Sequence, residues 1–116
     1  MAKIKVAIYD EDKPYRERFA DYLMSYKAKE IELSVFSGIN YFLEAVNVEK
    51  YQLFVLGRGY EELIPSIRSM PVPVLILSEQ DYIRERIGIE ETQISYTPKY
   101  QSMEVITHQM YLMHLQ

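Results

Sequence analysis

Cysteine is absent, which excludes a disulfide framework, a thiolate metal site and a thiol nucleophile. Histidine is nearly absent. The only two, His108 and His114, are too few for a His-rich metal site, and their spacing does not place them on one helix face. Glycine (4) and proline (5) are sparse, so no linker divides the chain. No internal repeat or low-complexity tract occurs. No apolar run approaches the roughly 18 residues that a membrane-spanning helix needs. Near the N-terminus only residues 4–9 are mostly apolar before three acids, which does not suit a signal peptide. Basic residues are in deficit: 13 against 17 acidic, a net charge of −4. That balance argues against a nucleic-acid binder and mildly against docking to anionic membranes. There is no GxGxxG and no Walker pattern to cradle a phosphate. These absences point to a cytoplasmic domain without membrane insertion.

What is present is an ordinary globular chain of 116 residues, 48% hydrophobic and 26% charged, enough for one domain spanning 1–116. Short β-type runs alternate with helical patterns. Residues 3–9 (KIKVAIY) form an apolar, β-branched strand that ends at Asp10-Glu11-Asp12. Asp12 suits an N-cap and Pro14 an early helical position. Phe19, Leu23 and Tyr26 then follow at helical spacing. Residues 31–36 alternate as a half-buried strand, and 39–46 carry Tyr41, Phe42 and Ala45 on a helix. Residues 51–56 are the third strand. Gly57-Arg58-Gly59 is a tight turn whose glycines signal positive φ or close backbone approach. A short helix lies within 60–70, with Pro65 in its first turns. Residues 72–77 (VPVLIL) are a central strand, 82–87 a helix stopped by Gly88, 92–97 a fifth strand and 101–115 the last helix.

Five such alternations predict an α/β fold, (βα)5, as a three-layer sandwich around a parallel sheet. The expected strand order is the flavodoxin-like 2-1-3-4-5. Ligands of such sheets bind at the carboxyl ends of the strands. The loops to inspect are therefore 10–13, 37–38, 57–60, 78–81 and 97–100.

Those loops place Asp10, Glu11 and Asp12 after strand one, Ser78 at the end of strand four and Lys99 after strand five. With IYDED and PVLILS, this constellation resembles the receiver (CheY-like) domains of bacterial response regulators over nearly the whole chain. The resemblance implies a phosphorylation pocket. In it, two acids bind Mg²⁺, an Asp ending strand three accepts the phosphoryl group, and a hydroxyl and a lysine contact it. A carboxylate attacks the donor while a cation and a lysine offset the developing charge.

The departures decide the reading. Gly57 stands where the acceptor Asp belongs, so acyl-phosphate chemistry has no carboxylate there. GRGYEEL replaces the usual loop, Glu79 follows the hydroxyl, and the family's Lys-Pro is reversed as Pro98-Lys99. Tyr96 takes the family's aromatic switch position, or Ser95 does if Pro98 matches the lysine. The chain therefore resembles a degenerate form, a pseudo-receiver. Similar domains open the ParA-like (TadZ/CpaE-like) ATPases that position tight-adherence pili. A start at Met and a stop after the fifth helix fit the N-terminal part of a longer protein.

The degenerate pocket comprises Asp10, Glu11, Gly57, Ser78 and Lys99. Its acids either retain a weak Mg²⁺ site or favour the dipole of the first helix. No metal or other cofactor is expected. Clustered carboxylates need counter-charge, and Arg58 or Lys99 can fold in to supply it, Arg58 by a bidentate pair. Ser78 is a phosphate contact or a helix N-cap. Eleven tyrosines and a Met-rich last helix (Met103, Met110, Met113) suggest apolar surface for a partner. The resemblance puts that surface on the fourth helix, fifth strand and fifth helix, at Tyr82, Arg86, Tyr96, His108 and Tyr111.

Three functions follow. One is a non-enzymatic module that dimerises or docks a protein, in signalling or in positioning a pilus-assembly machine. The second is a receiver phosphorylated at Asp10 or Asp12 with Mg²⁺. The third is a flavodoxin-type binder of a nucleotide or flavin. The missing acceptor favours the first.

Overall fold

The computed structural model describes residues 3–79 and 93–114. Its elements run β1 (Ile4–Tyr9), α1 (Lys13–Tyr26), β2 (Ile31–Phe36), α2 (Ile39–Val48), β3 (Leu53–Leu56), a 3₁₀ turn (Tyr60–Glu62), α3 (Ile64–Ile67), β4 (Val74–Ser78), β5 (Ile94–Pro98) and α4 (Met103–His114). The helix expected at 82–87 lies outside the described residues.

The five strands are parallel, in the order β2-β1-β3-β4-β5. The period of two sorts the apolar residues into two layers. Val6, Ile8, Leu53, Val55, Leu75 and Leu77 face one way, onto Phe19 and Leu23 of α1 and Ile106 and Met110 of α4. Ala7, Tyr9, Phe54, Leu56, Val74 and Ile76 face the other way, onto Phe42 and Val46 of α2 and Ile67 of α3. β3 and β4 are buried throughout, as a parallel sheet covered on both faces requires. No described helix is long and apolar enough to cross a membrane.

Local chemistry sets the boundaries. Asp12 caps α1 by accepting the Tyr15 N–H at 3.3 Å, with Pro14 in the first turn. The segment after β3 is broken into a 3₁₀ turn and one α-turn, shorter than the helix expected within 60–70. Pro65 supplies no N–H to a helix begun upstream of it, so α3 starts around it. β4 starts after Pro73, whose carbonyl still accepts the Phe54 N–H at 3.0 Å. β5 extends to Pro98, which pairs in register with Ser78, so the strand delivers Lys99 at its end.

Candidate functional site: a lysine caged by carboxylates

The carboxyl ends of β1, β3, β4 and β5 meet at Asp10, Gly57, Ser78 and Lys99. Backbone bonds hold these ends together. The Gly57 N–H donates to Tyr9 O at 2.7 Å, the Glu11 N–H to Arg58 O at 3.2 Å, and the Lys99 N–H to Ser78 O at 2.8 Å.

Asp10 and Lys99 are both fully buried. Lys99 Nζ lies 2.9 Å from Asp10 Oδ2, 3.1 Å from Glu79 Oε2 and 3.7 Å from Asp12 Oδ2. The Tyr15 ring covers the ammonium at 4.6 Å, and the Tyr15 hydroxyl donates to the Lys99 carbonyl at 3.2 Å. Asp10 Oδ1 accepts the N–H groups of Asp12 (2.8 Å) and Arg58 (3.3 Å). Asp10 is thus held by backbone N–H groups at Oδ1, while the buried Oδ2 faces the Lys99 ammonium as an ion pair without an aligned hydrogen bond.

Arg58 reaches the rim of the same cluster. Its Nε and Nη2 donate to Glu79 Oε2 and Oε1 at 3.1 and 3.2 Å, and Nη2 comes within 3.9 Å of Asp12. Both anticipated cations therefore enter the acidic pocket, Lys99 at its floor and Arg58 at its mouth. Glu79, noted in the sequence only as a departure from the family pattern, joins the two. The available signal was an acid in one strand-end loop beside two cations in neighbouring ones.

The two glycines of the turn have separate reasons. A Cβ on Gly57 would stand 2.0 Å from Asp10 Oδ2 and 2.4 Å from its carboxyl carbon. The Asp10 side chain thus fills the space in front of position 57. Gly59 has φ +93°, in the left-handed region, and a Cβ there would meet Glu11 Oε2 at 2.3 Å. Glu11 is directed to that turn and accepts the Tyr9 hydroxyl at 2.9 Å. Ser78 is buried at the end of β4, and with Gly57, Arg58, Tyr60 and Glu79 it lines a cavity of about 170 Å³.

A Mg²⁺ ion needs oxygen ligands turned toward one open point. Here Lys99 Nζ holds the point shared by Asp10, Asp12 and Glu79, and Glu11 is committed elsewhere. Among the described residues no three acidic or histidine side chains are arranged to hold a metal. The donor set in this arrangement does not fit the ion.

The charges support one another. Hydrogen bonds from Arg58 hold the Glu79 carboxyl below its ordinary 4.5, against burial and with help from Lys99. Burial opposes the charge on Lys99, yet the hydrogen bonds and charges of Asp10 and Glu79 raise its pKa above the ordinary 10.5. Linkage fixes the signs. The Glu79 contribution is complete above its unfolded value and is lost as pH falls through the lowered folded value. The Lys99 contribution is complete below its unfolded value and is lost as pH rises through the raised one. Stability from the cage is expected to be level between about pH 5 and pH 10 and to fall on either side. Urea midpoints measured across that range check it. A wild-type profile that slopes steadily through neutral pH would contradict it.

Of the anticipated interaction residues, Tyr96, His108 and Tyr111 lie among the described ones. Tyr96 packs toward the α2–α3 layer, edge-on to Tyr60 with ring centroids 6.3 Å apart. Tyr111 belongs to the opposite layer. Its hydroxyl donates to Glu30, and burial together with that bond pushes it up to about 12. His108 is exposed on α4, beside a groove that Tyr22, Lys27 and Tyr111 also line. The exposed apolar residues of α4 are Val105 and Leu112, two turns apart with His108 between them. Tyr82 and Arg86 lie outside the described residues.

No protein-family model and no curated protein matches the sequence. Solved structures match over almost the whole chain. The receiver domain of the Francisella response regulator 1452 is similar at TM-score 0.78 and 19% identity, over 97% of this chain and 98% of that one. A response regulator receiver modulated diguanylate cyclase from Pelobacter carbinolicus gives 0.73 and 18%, over 98% and 92%. The beryllofluoride-activated NtrC receiver domain gives 0.70 and 15%, over 99% and 97%. The chain therefore has the CheY-like α/β fold of response-regulator receiver domains, with the sheet order 2-1-3-4-5.

Proposed function

We propose that this chain is a pseudo-receiver, a signalling module that acts by protein contact and transfers no phosphoryl group. One observation carries the reading: the Asp10 carboxylate fills the space in front of Gly57 and is already neutralised by Lys99. A phosphoryl acceptor needs a free carboxylate nucleophile with a cation beside it to offset the developing charge. Gly57 supplies no nucleophile. Asp10 is buried and ion-paired, and Asp12 is spent on capping α1. The contact surface in this reading is the exposed face of α4, along which Val105, His108 and Leu112 form a stripe. A second copy or another protein would cover it. The narrower setting, an N-terminal module of a pilus-positioning ATPase, rests on the sequence resemblance alone.

The test is intact mass after incubation with acetyl phosphate and Mg²⁺, with light scattering on the same sample. No added phosphoryl mass is expected. A dimer that V105D/L112D converts to a monomer would support self-association through α4, and a wild-type monomer would point to another protein as partner. A Mg²⁺-dependent adduct would overturn the reading and direct attention to Asp12, the more exposed of the two aspartates in the pocket.

A further inference from the structure

Arg58 and Lys99 come from different loops, after β3 and after β5, yet converge on one carboxylate from a third, after β4. Glu79 Oε2 takes Lys99 Nζ at 3.1 Å and Arg58 Nε at 3.1 Å, while Oε1 takes Arg58 Nη2 at 3.2 Å. A planar two-oxygen anion bound by a guanidinium fork and an ammonium is the arrangement proteins use for a small oxyanion ligand. The place is also built to hold one. Ser78 and the Gly57–Arg58–Gly59 turn lie around the same cavity of about 170 Å³ that Glu79 borders. Without Glu79, two cations would face Asp10 and Asp12 alone, and the cluster would pass from a formal −1 to neutral.

We propose that Arg58 and Lys99 form an oxyanion site occupied in cis by the Glu79 carboxylate, which acts as a built-in ligand tying the β3, β4 and β5 loops together. The inference deepens the pseudo-receiver reading and rests on it in one respect: the loops are held without a phosphoryl group. The ligand class is a small oxyanion, a phosphate or a carboxylate. In the wild-type chain the tether excludes an external one, because a covalently attached carboxylate competes at high effective concentration.

The experiment uses Glu79→Ala, with Arg58→Ala/Glu79→Ala and wild type as controls. Inorganic phosphate is titrated against sodium chloride of equal ionic strength, and the amide signals of Gly57, Arg58, Gly59 and Lys99 are followed. E79A is expected to melt about 5 °C below wild type and to regain part of that loss with phosphate. Its amide shifts should saturate with phosphate. Binding should be about tenfold weaker or absent in the double variant, and absent in wild type. Equal responses in all three proteins, or no saturation in E79A, would overturn the proposal. If E79A does not fold, E79Q keeps the side-chain volume. Faster amide exchange at Arg58 and Lys99 in E79Q would then support the tether, and unchanged exchange would overturn it. A phosphoryl adduct on wild type would defeat the pseudo-receiver reading separately, since it is read by mass and not by these shifts.

Discussion

Lys99→Met is expected to destabilise the fold by about 3–5 kcal/mol, because it leaves a fully buried Asp10 carboxylate without its cation. For a domain of this size that is a drop of roughly 15–20 °C in melting temperature. Methionine preserves most of the volume under the Tyr15 ring, so the loss reports charge more than packing. Adding Asp10→Asn should recover more than half of the loss, and a double-mutant cycle gives the coupling directly. A K99M protein within about 1 kcal/mol of wild type would mean that the ammonium is not what neutralises Asp10.

Gly57→Asp, which puts a carboxylate where the resemblance to receiver domains implies a phosphoryl acceptor, is expected to fail twice. Its Cβ alone would stand 2.0 Å from Asp10 Oδ2. Asp10 cannot swing aside cheaply, being held by two backbone N–H groups and by Lys99. Overpacking and a further carboxylate beside Asp10 should together cost about 3 kcal/mol. The variant should also gain no phosphoryl mass from acetyl phosphate with Mg²⁺. Gly57→Ala separates the steric part. It should be costly in the wild-type background and nearly neutral beside Asp10→Ala, since the two side chains compete for one space. A stable, phosphorylated G57D would show that Asp10 yields its place readily, and the account of this pocket would fall.

Much of the fold could be read from the chain, because its signals are local and periodic. β2 was expected at 31–36 and is found there, since alternation and the Ser37-Gly38 break both mark it. The sheet order followed from five β–α alternations. The ends of β4 and β5 differed by one or two residues, where Pro73 and Pro98 weaken the local signal without preventing strand geometry. The pocket was legible as a set of strand ends. Both candidate counter-charges, Arg58 and Lys99, are drawn into it. What could not be read was the steric exchange between Asp10 and Gly57, which depends on a distance across two loops. Nor could the bridging role of Glu79, whose partners lie 20 and 21 residues away. The layer each tyrosine joins was also not legible, since burial on the two faces of a sheet depends on the packed helices: Tyr96 joins the α2–α3 layer and Tyr111 the α1–α4 layer.

The cage also differs in kind from a metal site, because its cation is a side chain. A bound ion has an occupancy that follows its concentration, and a chelator can remove it. Lys99 cannot dissociate, so its occupancy obeys no mass action. The shape of these loops is then as constant in a magnesium-starved cell as in a replete one. Their geometry is set by the chain's own residues and not by the supply of a divalent cation.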